Sequence, residues 1–528
     1  MAELAATLFS FPPDESNLEQ LSPKQYDDQI HNYLGALAKL PKNWAKSTTS
    51  GSDDLLEILN PAVNSIPYLH VLLARIHGLT DRAKSIPDTI RPEGKLWNHM
   101  IQFINVCDPI QIRYVGGPYR ELIEVLDGIV RALDTPGLGV EPIRIAMMRM
   151  DPTLGTFTSN HLLYLRLCHE VQAHREAVAV LDNYIYSFPK ERINGGELTL
   201  PCADHLTSNG YITSQSGISD KLEPGHVHEY FMLGANSYLA LRQYSDAQLY
   251  LEHILTAPTQ NVADGLMAEA YRKWLLVGCL IDGVPPPALK TTNVNAFKTI
   301  RAASKAYETI ADVFSSGDAT KLSAEIHAGW ETWENDGNTG LIRKLETHLN
   351  RFFVKNLQKT YAAIPVSTVA KWMNQSTSAT TTYIQTLIDD CFLNATIEQT
   401  PPSTTSPTTT NTDYPIVRFR SELSSGFTKS EEQQRKDLLQ QARRTQQLAE
   451  HVKQASQRLG LSKEFVELEK RKAKSKEGEG QQGPGAGGAG GAVGVTAPGG
   501  STGLVGAETM DTSWEVYDQD EDMMGDIA

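Results

Sequence analysis

Cysteine is scarce in this chain. Five residues in 528 (Cys107, Cys168, Cys202, Cys279 and Cys391) lie far apart, and no two form a CxxC pair. Thiols spaced this way exclude a disulfide framework or a cysteine zinc site and read as small buried hydrophobes of a reducing compartment. An excess of positive charge is also missing. Sixty-three acidic against 48 basic side chains leave a net charge of −15, which works against a protein whose main task is to grip nucleic-acid phosphates. No run of 18 apolar residues occurs, so a membrane-spanning helix is not expected. The opening MAELAATLFSFPPDE lacks the basic and long apolar regions of a secretion signal. These readings predict a soluble protein of cytoplasm and nucleus.

Catalytic signatures are likewise wanting: there is no GxxxxGK[ST], no GxSxG and no Cys/His ladder. Three near misses fail on spacing. His169 and His174 are five residues apart, so on one helix they diverge by about 500° of rotation, where a zinc-protease pair needs i and i+4. They read as histidines at a helix end. His226 and His228 form an HxH pair, but position 239, where a third metal ligand would stand, is Leu239, and the next aspartate is Asp246. Gly485 to Gly490 match GxGxxG literally without a flanking strand or helix, which makes them low complexity. No catalytic residue, metal site or cofactor is expected.

What is present is helical periodicity. A chain of 528 residues exceeds what one core usually holds, so several folded units are expected. Over residues 1–155, apolar residues recur at three- and four-residue steps in Leu55–Leu59, Ile66–Ile76, Leu96–Val106 and Tyr119–Leu133, with prolines near the edges. Residues 156–338 repeat themselves. Aligning Ala177 with Ala247 superposes two helix-turn-helix units, His161–Phe188 and Tyr230–Pro258, each with a small residue after its turn and a leucine (Leu181, Leu251) one turn on. Such hairpins bury their apolar stripes only by stacking, the logic of a TPR-like solenoid. Further helices are predicted at Leu266–Cys279 and Ala302–Phe314. The polar stretch 190–224 between the two units reads as a long inter-helix loop.

The pattern changes after Gly340. An amphipathic helix from Leu341 to Tyr361 is followed by a short strand, AAIPVS, and a helix, STVAKWMN, that Ser367 can cap. A third helix over Thr380–Phe392 and two β-like runs, ATIEQ and YPIVRFR, come next, with a Thr/Pro-rich insertion at 400–413 between the runs. Helix, strand, helix, helix and wing is the order of a winged helix, here over 339–422. Its third helix contains Asp389 and Asp390 and no Lys or Arg, which disfavours a DNA reader. Arg351, Lys355 and Lys359 on the preceding helix read as a solvated or salt-bridged stripe. A charged helix over 429–473 follows, with Leu438, Val452 and Leu459 on a seven-residue spacing and a thin apolar face suited to a partner bundle. Lys470–Lys476 is either a nuclear-import patch or a helix C-terminus closed by cations. Residues 477–528, Gly-rich and then acidic with Trp514, Tyr517, Met523 and Met524, are expected to be disordered.

Helical repeats running into a winged helix and then a C-terminal helix resemble the PCI-domain proteins, subunits of the proteasome lid, the COP9 signalosome and a translation-initiation complex. Tyr230–Ile281, Gly340-Leu-Ile-Arg-Lys with RFFVKNLQKTYAAI, and KEFVELEK at Lys463–Lys470 are similar to the signalosome's subunit-three family, over about residues 95–470. The 190–224 loop, the 400–413 insertion and the segment after 476 exceed that family's outline. The resemblance implies a non-catalytic scaffold supporting removal of a Nedd-type modifier from cullins, and so regulation of cullin-RING ubiquitin ligases. It implies other PCI and MPN subunits as partners, cullin-RING ligases indirectly, and neither nucleic acid nor membrane. It places pairing with sister subunits at the winged-helix edge (Ile416, Val417, Arg418, Phe419) and bundling at the C-terminal helix (Leu438, Leu448, Val452, Leu459). The alternatives are a proteasome-lid PCI subunit, or a nucleic-acid-binding PCI protein of messenger-RNA export marked by a basic third helix or wing.

Overall fold

A computed structural model of the chain describes residues 6–12, 21–40, 54–81, 85–189, 200–205, 207–257, 263–289, 294–373, 375–390, 392–399, 415–420 and, singly or in short runs, positions between 435 and 453. The chain separates into two compact units, Met1–Val452 and Lys453–Ala528. The first is mainly helical, with one small sheet near its end.

The helices α1 (Pro23–Lys39), α2 (Leu55–Ile58), α3 (Ser65–Thr80), α4 (Lys95–Val106), α5 (Pro109–Ile112), α6 (Gly116–Ala132) and α7 (Gly137–Met150) lead into α8 (Ser159–Val171) and α9 (His174–Leu181). Beyond the connecting loop come α10 (Pro224–Ala240), α11 (Tyr244–Thr256), α12 (Gly265–Asp282), α13 (Val294–Ala303), α14 (Lys305–Ser316), α15 (Ala319–Ala328), α16 (Trp330–Asn335) and α17 (Thr339–Leu357). Caps set several starts: Ser22 and Gln25 form a reciprocal capping box on α1, and Asp54 accepts from the Leu56 amide on α2.

The 70-residue repeat is real in backbone detail. Hairpin α8–α9 turns through Gln172 and hairpin α10–α11 through Arg242, both left-handed at φ 61°. In each, the next amide closes the helix end: Ala173 N–H donates to Cys168 O at 2.8 Å, and Gln243 N–H donates to Tyr238 O at 2.9 Å. Hairpin α6–α7 does the same with Asp134 at φ 57° and Thr135 N–H on Val130 O. Ala177 and Ala247 are fully buried where the paired helices approach. Gly234 of α10 is closer still, since a Cβ there would lie 2.7 Å from the Tyr250 ring and 3.0 Å from Leu181.

Two cores result from the stacking. The first runs without a break across residue 155, from Leu8 to Ala247; the second runs from Met232 to Phe352. Helix α10 serves both, giving Tyr230 and Tyr238 to the first and Met232 and Ala235 to the second. Helix α12 buries residues on nearly every side, from Met267 to Leu280, because α11, α14 and α17 surround it.

The stretch after residue 199 is more than a polar connection. Tyr211, Ile212 and Ile218 are buried in the first core. Arg113 donates to Pro201 O at 2.8 Å and lies 3.8 Å over the Tyr211 ring, whose hydroxyl donates to Met150 O. Arg120 donates to Gly217 O, and the close approach of Ser216 O to Gly116 leaves no room for a Cβ. The expected helix over 302–314 is divided at Ser304 into α13 and α14. Of the described cysteines, Cys107, Cys168 and Cys279 are buried as expected, while Cys202 is half-exposed with its thiol on Pro23 O.

Candidate interaction surface

Helix α17 belongs to two cores. Its first half packs Ile342, Leu345, Leu349 and Phe352 into the solenoid, and its end gives Val354 and Leu357 to a third cluster. That cluster is the winged module: β1 (Ala363–Pro365), α18 (Val366–Trp372), α19 (Thr377–Asp389), β2 (Ala395–Gln399) and β3 (Pro415–Phe419). Helix α18 begins at Val366, with Pro365 rather than Ser367 in the capping position and no side-chain capping bond. Ser376, instead, caps α19 through the Ala379 amide.

The sheet order is β1-β3-β2, all antiparallel. Ile364 faces Val417 on one side of β3 and Ile397 faces Val417 on the other. The segment Ile416, Val417, Arg418, Phe419 is therefore the central strand, and the expectation that it forms the open edge is corrected. The reason is topological: β1, far back in sequence, fills one ladder of β3, and β2 fills the second. Val417 and Phe419 point into the core, while Arg418 is exposed and pairs with Glu398 at 3.1 Å. The open ladder belongs to β2, five residues long, and to β1, which is three residues long and contains Pro365. Among the described residues neither has a partner on its outer side.

Along the basic stripe of α17 and the residues after it, Lys355 and Lys359 are exposed, as a solvated face requires, while Arg351 is half-buried. Among the described residues no carboxylate lies within ion-pair distance of Arg351 or Lys355. Both face an aromatic ring: the Arg351 guanidinium is 3.5 Å, and the Lys355 ammonium 5.0 Å, from the centre of Phe392. Burial lowers the Arg351 pKa, opposed by the Asp390 charge. The charge at the C-terminal cap of α19 thus acts on α17.

The described positions between 435 and 453 are helical, and Leu438, Leu448 and Val452 are 65%, 46% and 63% exposed. They are unburied in the isolated chain, the state that packing into a partner bundle requires. Leu459, the 470–476 cations, the glycine run 485–490 and the 477–528 tail lie outside the described residues, as does the 400–413 insertion.

The near-miss motifs resolve locally. Helix α8 ends at Val171, so His169 and His174 stand on either side of a turn, and their rings meet edge-to-face at 6.0 Å instead of diverging. His226 accepts from the Glu223 amide at the start of α10, while His228 pairs with Asp264 at 3.2 Å. Among the described residues no three metal-ligating side chains converge, and no helix is long and apolar enough to cross a membrane.

With this geometry in place, the comparisons with known proteins decide the family. The profile described as COP9 signalosome complex subunit 3, N-terminal helical repeats, matches residues 28–294. The chain belongs to the COP9 signalosome subunit 3 family. A curated protein of Emericella nidulans with the name COP9 signalosome complex subunit 3 is 32% identical over 372 residues, 70% of this chain and 74% of that protein. A Neurospora crassa protein of the same name is 26% identical over 366 residues, 69% of this chain and 71% of that one. The profile reaches back to residue 28, well before the start at 95 that the sequence resemblance suggested.

Proposed function

We propose that this chain is a non-catalytic scaffold subunit of a COP9 signalosome, supporting cullin deneddylation and the regulation of cullin-RING ubiquitin ligases through subunit assembly. The observation that carries the reading is the outer side of β2, which has no partner among the described residues and is borne by a winged module at the end of a helical-repeat body in a chain of the subunit 3 family. An exposed strand edge is a template for main-chain pairing, so β2 would recruit a neighbouring PCI subunit by extending the sheet. Leu438, Leu448, Val452 and Leu459 would enter a helical bundle with PCI and MPN subunits, and cullin-RING ligases would be met through those neighbours. Residues 156–338 and 339–422 would act as one PCI module, in cytoplasm and nucleus, without nucleic acid or membrane. The isopeptidase would reside in a different subunit, a reading supported by His226 and His228 being occupied in separate local contacts.

Affinity purification of the tagged chain from its own cells, with mass spectrometry and a cullin deneddylation assay, tests this. Recovery of signalosome subunits, activity in the eluate and none in the isolated chain are expected. Recovery of proteasome ATPases in place of signalosome subunits, or cleavage by the isolated chain, would refute it.

A further inference from the structure

Helix α17 carries Lys344, His348, Arg351 and Lys355 at steps of four, three and four residues, which set them in one line along the helix. The turn between α10 and α11 adds Arg242 beside this line. Burial, with the charges of Arg351, Lys344 and Arg242, depresses His348 to about 4. The cations are held in place by rings: Lys344 lies 5.5 Å from the centre of Tyr244, and Arg351 and Lys355 share Phe392. Arg351 Nε and His348 Nδ1 are buried with no hydrogen-bond partner among the described residues. In a chain of net charge −15, Lys344, Arg351 and Lys355 form a run of positive charge on which Asp390 is the one carboxylate acting on Arg351 among the described residues. Tyr383 of α19 faces Arg351 from the winged module, so the line crosses the junction between solenoid and wing.

We propose that this line is a docking site for an extended acidic segment of a partner protein. With His348 neutral, the charges on the line are Lys344, Arg351 and Lys355, separated by roughly 10 Å and 6 Å along the axis. Same-side residues of an extended peptide repeat at about 6.6 Å, so two alternate carboxylates would meet Arg351 and Lys355, and a carboxylate further along would meet Lys344 at the end of its long side chain. The whole line, about 16 Å, takes roughly five extended residues. A compact phosphate would need cations converging on one point, which a row along a helix does not offer. A nucleic acid would bring its phosphates against Asp390, whose charge acts on Arg351. The Tyr244 and Phe392 rings give the segment an apolar contact beside its charges.

The test is fluorescence anisotropy with the full-length chain and a dye-labelled probe, the heptapeptide Asp-Glu-Asp-Trp-Asp-Glu-Asp. The comparison probes are its Asn/Gln counterpart and a single-stranded oligonucleotide of equal charge. The acidic peptide is expected to bind at least tenfold more tightly than either. The double variant K344Q/K355Q, exposed or half-exposed positions outside both cores, is expected to lose at least tenfold in peptide affinity with an unchanged melting temperature. Equal peptide binding by wild type and double variant, or equal binding of peptide and oligonucleotide, overturns the proposal.

Discussion

The ammonium of Lys273 donates to the side-chain oxygen of Asn338 at 2.9 Å inside the second core. Asn338 then donates to the Tyr307 hydroxyl at 2.9 Å, Tyr307 donates to Asp336 at 2.8 Å, and Arg272 closes the set on the same carboxylate at 2.7 Å. This polar chain joins α12 and α14 to the turn that launches α17, and so fixes how the solenoid hands over to the winged module.

Substituting Asn338→Ala leaves a buried ammonium with only Glu269 at 2.9 Å and is expected to cost about 1–3 kcal/mol. Lys273→Met removes the charge that needs a partner and is expected to cost less. Urea denaturation of the two variants ranks them, and the reverse order would contradict the role given to Asn338.

Gly234 and Gly35 predict opposite signs for the same change. At Gly35, exposed on α1, nothing stands within 4 Å of a new Cβ, so Gly35→Ala should gain up to about 1 kcal/mol from helix propensity. At Gly234 the Cβ meets the Tyr250 ring, whose hydroxyl is tied to Leu181 O at 2.7 Å, so the ring cannot swing away without breaking that bond. Gly234→Ala is expected to lose about 1–3 kcal/mol by overpacking. Thermal melts of the pair read both signs.

His161 is buried and serves as the N3 residue of a capping box: its Nδ1 accepts from the Thr158 amide at 3.1 Å and its Nε2 faces Leu154 O at 3.2 Å. Burial depresses its pKa from 6.5 to about 4, with the Asp151 charge acting in the opposite direction. The unfolded chain therefore binds the proton first as pH falls. The stability from neutral His161 is complete above pH 6.5 and is lost as pH drops toward 4, at about 1.4 kcal/mol per unit of separation. His161→Gln keeps a capping-box acceptor without a titrating group. Its stability, measured between pH 7 and 4, is expected to fall less steeply than that of the wild type; parallel curves would contradict the assignment.

The sequence carried the solenoid plainly, because stacking hairpins leave a visible mark: Ala177 and Ala247 repeat, and so do Leu181 and Leu251. The turns were legible as polar strings after each first helix, although Gln172 and Arg242 occupy the left-handed positions where glycine is the usual signal. Helix α7 was hidden behind its Gly-Leu-Gly start and Pro142 within it. The ordering of the loop after residue 199 rests on Tyr211, Ile212 and Ile218, three apolar residues in a polar string that no periodicity announces. At the candidate surface the strands were legible, but their order was not, because β1 pairs with a strand some 50 residues downstream. Phe392, which holds Arg351 and Lys355, lies about 40 residues further on, in the link between α19 and β2, so no local periodicity announces the contact.

The most direct test of the account is native mass spectrometry of the chain co-expressed with the other signalosome subunits, comparing wild type with T396K/E398K on the outer strand β2. Lysines on an edge strand oppose strand addition while leaving the core untouched. Because the double variant also removes the Glu398 partner of Arg418, R418Q, which loses the same ion pair without lysines on β2, is the control: the account predicts that both variants still melt cooperatively and that the double variant alone is lost from the assembled complex. Full incorporation of that variant would contradict it.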